Sequence, residues 1–135
     1  MKKVNQELSI LNAISQTVNQ SIDLDEILNK SVDKITEMID VHQASIYLLD
    51  ERKSELTLVV HRGFSKKLLD SMKRRKLGVG ISGKVALSGE PSFIENYPCH
   101  SDAFGPAVEE GLKSVAIIPL KSREKIYGTL NIGGK

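Results

Sequence analysis

Ala44-Ser45-Ile46-Tyr47-Leu48-Leu49, the polar stretch Asp50-Glu51-Arg52-Lys53-Ser54, and Leu56-Thr57-Leu58-Val59-Val60-His61 together set the fold class. Before this point the apolar residues recur every three or four positions. Within it they become β-type runs around a polar connection, which predicts an antiparallel hairpin closed by Gly63. The first run is apolar on both faces, as a central strand should be. A second hairpin closes the chain. Val115–Leu120 and Ile126–Ile132 are its strands, and Arg123-Glu124-Lys125 is its turn.

Two helices are predicted ahead of the first hairpin. Val4, Leu8, Leu11, Ser15, Val18 and Ile22 alternate spacings of four and three, the stripe of a helix over residues 1–22 that packs along its length. Ser21-Ile22-Asp23 interrupts the pattern. Asp23 followed by Glu26 resembles a capping box for a second helix, whose apolar face would be Leu24, Ile27, Leu28, Ser31, Ile35 and Ile39. Between the hairpins lie a helix at 65–76 with a basic end, Lys73-Arg74-Arg75-Lys76, and a glycine-punctuated loop leading into a short helix that ends near Ser88-Gly89. A short strand, Ser92–Glu95, and a long loop with about one helical turn near Ala107–Glu110 complete the order. The expected architecture is α+β: an antiparallel sheet of five or six strands, helices on one face, and irregular segments 64–90 and 95–113 roofing a pocket on the other.

With 135 residues the chain is the size of one domain. Charged residues at 27% and a net charge of +2 fit a soluble globular chain and do not call for nucleic acid. The 4% aromatic content argues against a base-stacking platform. No apolar run approaches the ~20 residues that span a bilayer, and the start is not a secretory leader. The single cysteine, Cys99, excludes an internal disulfide and suits a cytoplasmic setting. His42, His61 and His100 are dispersed, so no metal site is expected. No nucleophile–base–orienter set is apparent, and the expectation is a protein that is not an enzyme.

Leu77-Gly-Val-Gly-Ile-Ser-Gly-Lys-Val-Ala-Leu-Ser-Gly-Glu-Pro91 resembles the central signature of GAF domains. Ala44–Asp50 is similar to their first strand, and Glu110–Leu120 with Ile126–Ile132 to their closing hairpin. The resemblance runs from about Glu7 to Gly133. It implies one sensory or regulatory domain over residues 1–135, of the kind usually found upstream of a histidine kinase, diguanylate cyclase or transcription activator. Such domains usually continue into a C-terminal helix. Ending at Gly133-Gly134-Lys135, the sequence reads as a fragment whose C-terminal helix and covalently linked output domain are missing.

Gly78, Gly80 and Gly83 spell Gly-x-Gly-x-x-Gly, but a basic helix precedes them rather than a parallel strand. Their expected role is conformational, with the N–H groups near Ile81 and Ser82 free to meet an anionic group. Strand alternation places Ser45, Tyr47 and Leu49 on one face, with Tyr127, Thr129 and Asn131 on the matching face of the last strand. The pocket candidates are therefore Ser45, Tyr47, Ile81, Ser82, Phe93, Phe104, Thr129 and Asn131, around a small molecule of unidentified class. No cofactor is identified. Val4, Leu8, Leu11 and Val18 are the candidates for a homodimer contact. Two alternatives stand beside ligand sensing: a dimerisation and relay module without ligand, and a redox or chromophore sensor using Cys99 beside His100. Methionine-sulfoxide-reducing members of the resembled family need several cysteines, which a single Cys99 does not supply.

Overall fold

A strand that is apolar on both faces must be covered on both, and β1 (Gln43–Asp50) is covered that way at the centre of the molecule. The computed structural model describes the backbone of residues 19–135 and the side chains from Leu24 onward. In chain order the elements are α1 (Asn19–Met38), β1, β2 (Glu55–Arg62), α2 (Lys66–Met72), β3 (Arg74–Lys76) and α3 (Gly80–Ser88). Then follow β4 (Ser92–Ile94), a 3₁₀ turn (Tyr97–Cys99), α4 (Gly105–Glu109), β5 (Ser114–Ser122) and β6 (Lys125–Gly134). The six strands form one antiparallel sheet in the order β3-β2-β1-β6-β5-β4. Both predicted hairpins are present, and the closing strand of the second pairs with the opening strand of the first.

The helical end of the chain differs from expectation. The backbone of α1 is helical straight through Ser21-Ile22-Asp23, so Asp23 lies inside a helix and does not cap one. None of the three is Gly or Pro, and weak helix formers in the middle of a packed helix cost only tenths of a kcal/mol each. The buried stripe is Leu24, Leu28, Val32 and Ile35, centred on fully buried Val32; Ile27, Ser31 and Ile39 face solvent. Leu28 and Val32 pack on Ala44, Ile46, Leu48, Val60, Leu120 and Leu130 to form the core on this side of the sheet. Arg62 fastens β2 to α1, its Nε at 2.9 Å from Asp33 Oδ1 and its Nη2 at 2.9 Å from Asn29 Oδ1. Val4, Leu8, Leu11 and Val18 lie outside the described residues, with the dimer contact expected of them.

Two further departures shape the opposite face. A bulge at Val59, where Ile46 pairs with Val60 but Tyr47 with Leu58, reverses the alternation of β2. Leu56 and Leu58 thereby join the cavity-side core while Val60 joins the helix-side core. Second, the basic segment is not the end of a helix. α2 stops at Met72, and Arg74–Lys76 pair with Thr57, Leu56 and Glu55 as an edge strand. Unpaired β2 backbone groups gain hydrogen bonds this way, and three cations blunt the new edge against further pairing.

The glycine-rich stretch connects this edge to α3, whose Gly83 packs on it. A Cβ built on Gly83 would lie 2.4 Å from the Lys76 carbonyl oxygen, and its own carbonyl accepts from Gly78 N–H at 2.8 Å. The glycine is a contact surface between helix and strand. Gly83→Ala is expected to lower unfolding stability by about 1–3 kcal/mol through overpacking. Chemical denaturation of the two proteins, with an unchanged m-value, checks this.

Candidate functional site

β1 and β6 place alternate side chains above the sheet as a floor, and α2, α3 and segment 97–107 arch over it. Between them is a cavity of about 340 Å³, within the range that takes a small molecule. Ser45, Tyr47 and Asn131 line its floor; Ile81 and Ser82 line one wall from the first turn of α3; Phe104 lies in the roof. Parity on the paired strands brings Ser45 opposite Asn131, whose Nδ2 donates to Ser45 Oγ at 3.3 Å. Ser82 Oγ donates to Asn131 Oδ1 at 3.4 Å, linking wall to floor.

Two pocket candidates lie elsewhere. Thr129 shares the floor face and pairs with Tyr47, but it is fully buried, leaves Oγ1 without a partner, and does not line the cavity. Phe93 is 69% exposed. On β4 it pairs with Ala116 and falls on the opposite side of the sheet, while its neighbours Ser92 and Ile94 carry the cavity-side parity. Tyr127 also drops out of the expected row, because it sits at the register break where Leu120 pairs with Gly128 but Lys121 with Ile126.

The cavity contains residues that the sequence reading did not single out. Gln43 precedes the expected start of β1 by one residue; counting back by two from Ser45 would have placed it on the floor. It is 2% exposed, and its Nε2 has no hydrogen-bond partner among the described residues. Arg75 reaches the cavity from β3, with its guanidinium carbon 3.9 Å from the centroid of the Phe104 ring. Tyr97 fixes the roof, its hydroxyl accepting from Phe104 N–H at 2.7 Å. Tyr47, 1% exposed, sends its hydroxyl across the cavity wall to donate to the Met72 carbonyl at 2.6 Å.

Asp102 also lines the cavity, but its carboxylate is held by Lys84 at 2.6 Å. Its backbone N–H donates to His100 Nδ1 at 3.0 Å, tying His100 into a local turn. Cys99 is exposed on the 3₁₀ turn and is not part of the cavity lining. Among the described residues no three His, Cys, Asp or Glu side chains converge as metal ligands, and no helix is long and apolar enough to cross a membrane.

This arrangement, a curled antiparallel sheet with a helix behind and a loop-roofed cavity in front, is that of the GAF fold. The chain belongs to the GAF domain family, whose model matches residues 21–135. It is 26% identical over 133 residues to the Nif-specific regulatory protein of Azospirillum lipoferum, covering 95% of this chain and 21% of that protein. The chain thus spans about a fifth of the length of its curated relatives. Among solved structures it is similar to the GAF domain of a Coxiella burnetii phosphoenolpyruvate-protein phosphotransferase, with 26% identity, a TM-score of 0.73, and 97% and 79% of the two chains covered. The free methionine-R-sulfoxide reductase of Neisseria meningitidis, solved with its substrate, shares the fold at 22% identity and a TM-score of 0.70, over 82% and 62% of the two chains. The family and the regulatory relative make this a regulatory type of domain.

Burial raises the pKa of both Tyr47 and Tyr97 above the ordinary 10.0, against the opposing charge of Arg75 near each and, at Tyr97, the Phe104 hydrogen bond. A raised folded-state pKa means that the folded chain holds these protons more tightly than the unfolded chain. The resulting stability is fully present below pH 10 and is lost as pH rises through the folded-state values. Tyrosinate absorbance should therefore show two phenols ionising above pH 10, with stability falling in the same window. Ionisation of Tyr47 and Tyr97 below it would contradict the geometry.

Proposed function

We propose that this domain senses a small molecule bound in the cavity and relays occupancy through its helices to a covalently linked output domain. The observation that carries the reading is the cavity itself: about 340 Å³ beneath the roof, with the Arg75 cation in its lining and no carboxylate among the described residues paired to it. The lining mixes apolar side chains (Leu68, Met72, Ile117) with a few convergent polar groups, as a ligand site requires. Regulatory context comes from the Nif-specific relative, with activity of the whole protein left to domains beyond this chain. The role is binding without catalysis: the one cysteine lies outside the cavity lining, and among the described residues no nucleophile with a positioned base faces the cavity.

A ligand shifts the domain only by binding one roof position better than another. The roof is suited to this, because Arg75, Phe104 and Tyr97 join β3 to segment 97–107 through one cation–π contact and one hydrogen bond. We extend the proposal to a homodimer through Val4, Leu8, Leu11 and Val18, on the sequence stripe alone. Relay by such a dimer without any ligand is the second reading.

Native mass spectrometry of the chain purified from cells tests the proposal. The expected result is extra mass on the folded chain, released on denaturation, together with a rise of a few degrees in melting temperature when the released compound is added back. A bare chain whose melting no metabolite in a broad collection alters would overturn ligand sensing and leave the relay reading.

A further inference from the structure

The polar groups around the cavity are unequally satisfied. Its acceptors are engaged: the Asp102 carboxylate by Lys84, Asn131 Oδ1 by Ser82, and Ser45 Oγ by Asn131. Two donor groups remain, the first turn of α3 and the Arg75 guanidinium. The first turn of α3, a nine-residue helix, opens on the cavity at Gly80, Ile81 and Ser82, and its N-cap residue Val79 offers no side-chain cap. Arg75 forms no ion pair with any carboxylate among the described residues; its guanidinium lies on the face of Phe104 and beside the neutral hydroxyls of Tyr47 and Tyr97, so its charge is unbalanced. Tyr97 Oη accepts from Phe104 N–H, and its own proton has no acceptor among the described residues.

A cavity whose lining carries an unbalanced guanidinium and the N–H groups of a helix N-terminus selects an acceptor-rich, negatively charged occupant. We propose that the ligand is a small organic carboxylate, its charge held by Arg75 and a second acceptor atom held by the α3 N-terminus. This inference rests on the ligand-sensing reading and gives that site its chemical class. Guanidinium suits the task because its fixed fork of donors matches a carboxylate in two bonds. Apolar Leu68, Met72 and Ile117 are left for the carbon chain of the ligand. Because the guanidinium also stacks on Phe104, the bound charge engages the roof through a single side chain.

The test compares two probes of equal length by isothermal titration calorimetry: glutarate, with two carboxylates, and glutaramide, its neutral diamide. Glutarate is expected to bind the wild-type chain at least about tenfold more tightly than glutaramide. In Arg75→Gln its affinity should fall by about 10- to 100-fold, the value of one charge-assisted pair, while that of glutaramide stays within about twofold. Arg75→Lys should recover part of the loss, since it keeps the charge and gives up the fork. Circular dichroism of each variant establishes that it is folded. Equal binding of the two probes would overturn the carboxylate class while leaving the cavity a ligand site. Glutarate binding unchanged by Arg75→Gln would overturn the role of Arg75, and failure of glutarate to bind would overturn the inference. None of these results alters the native-mass test of ligand sensing.

Discussion

The roof of this domain depends on one hydrogen bond, from the Tyr47 hydroxyl to the Met72 carbonyl at 2.6 Å. Tyr47 stands on the central strand, and Met72 ends α2 two residues before β3 begins. A buried carbonyl at a helix end must find a donor, and the sheet beneath supplies it through a side chain long enough to cross the space between layers. The bond therefore sets how far the roof stands above the floor. It also fixes where the chain turns from α2 into β3, and hence where Arg75 points.

From that anchor the two sides of the sheet acquire different characters. On one side α1 lays Leu28 and Val32 on Ala44, Ile46 and Leu48, an apolar layer. On the other, Tyr47, Leu56, Leu68, Met72 and Ile81 form a core that stops short of filling the space, and Gln43, Ser45 and Asn131 occupy the remaining floor. Gly83 lets α3 rest directly on β3, so the helix that presents its N-terminus to the cavity is positioned by the strand that carries Arg75. The charged group and the helix terminus are thus one mechanical unit.

Much of this was legible from residue types. The apolar run Ala44–Leu49 read as a central strand and Ile126–Ile132 as the last one, and strand alternation grouped Ser45, Tyr47 and Asn131 on the cavity face. The glycine spacing placed Ile81 and Ser82 at the start of α3. What escaped reading depended on pairing between distant segments. Lys73-Arg74-Arg75-Lys76 follows an amphipathic helix and has good helix propensity, so only the exposed edge of β2 makes it a strand. Arg75 was hidden for that reason. Phe93 was misplaced because a three-residue strand has no pattern of its own; its register with Ala116 decides which way it faces. The face of α1 was misread around Val32 because Ile27 and Ile39 are equally apolar, and only the position of the sheet separates them.

Tyr47 holds the roof through its bond to the Met72 carbonyl. Hydrogen–deuterium exchange of Tyr47→Phe against wild type, read peptide by peptide, tests it most directly. Loss of the hydroxyl leaves the Met72 carbonyl without its donor, a cost of about 1–3 kcal/mol. Residues 66–77 should then exchange roughly five- to a hundredfold faster, while α1 and the β1–β6 ladder keep their protection. Unchanged exchange over 66–77, or an equal loss across the whole sheet, would contradict the account.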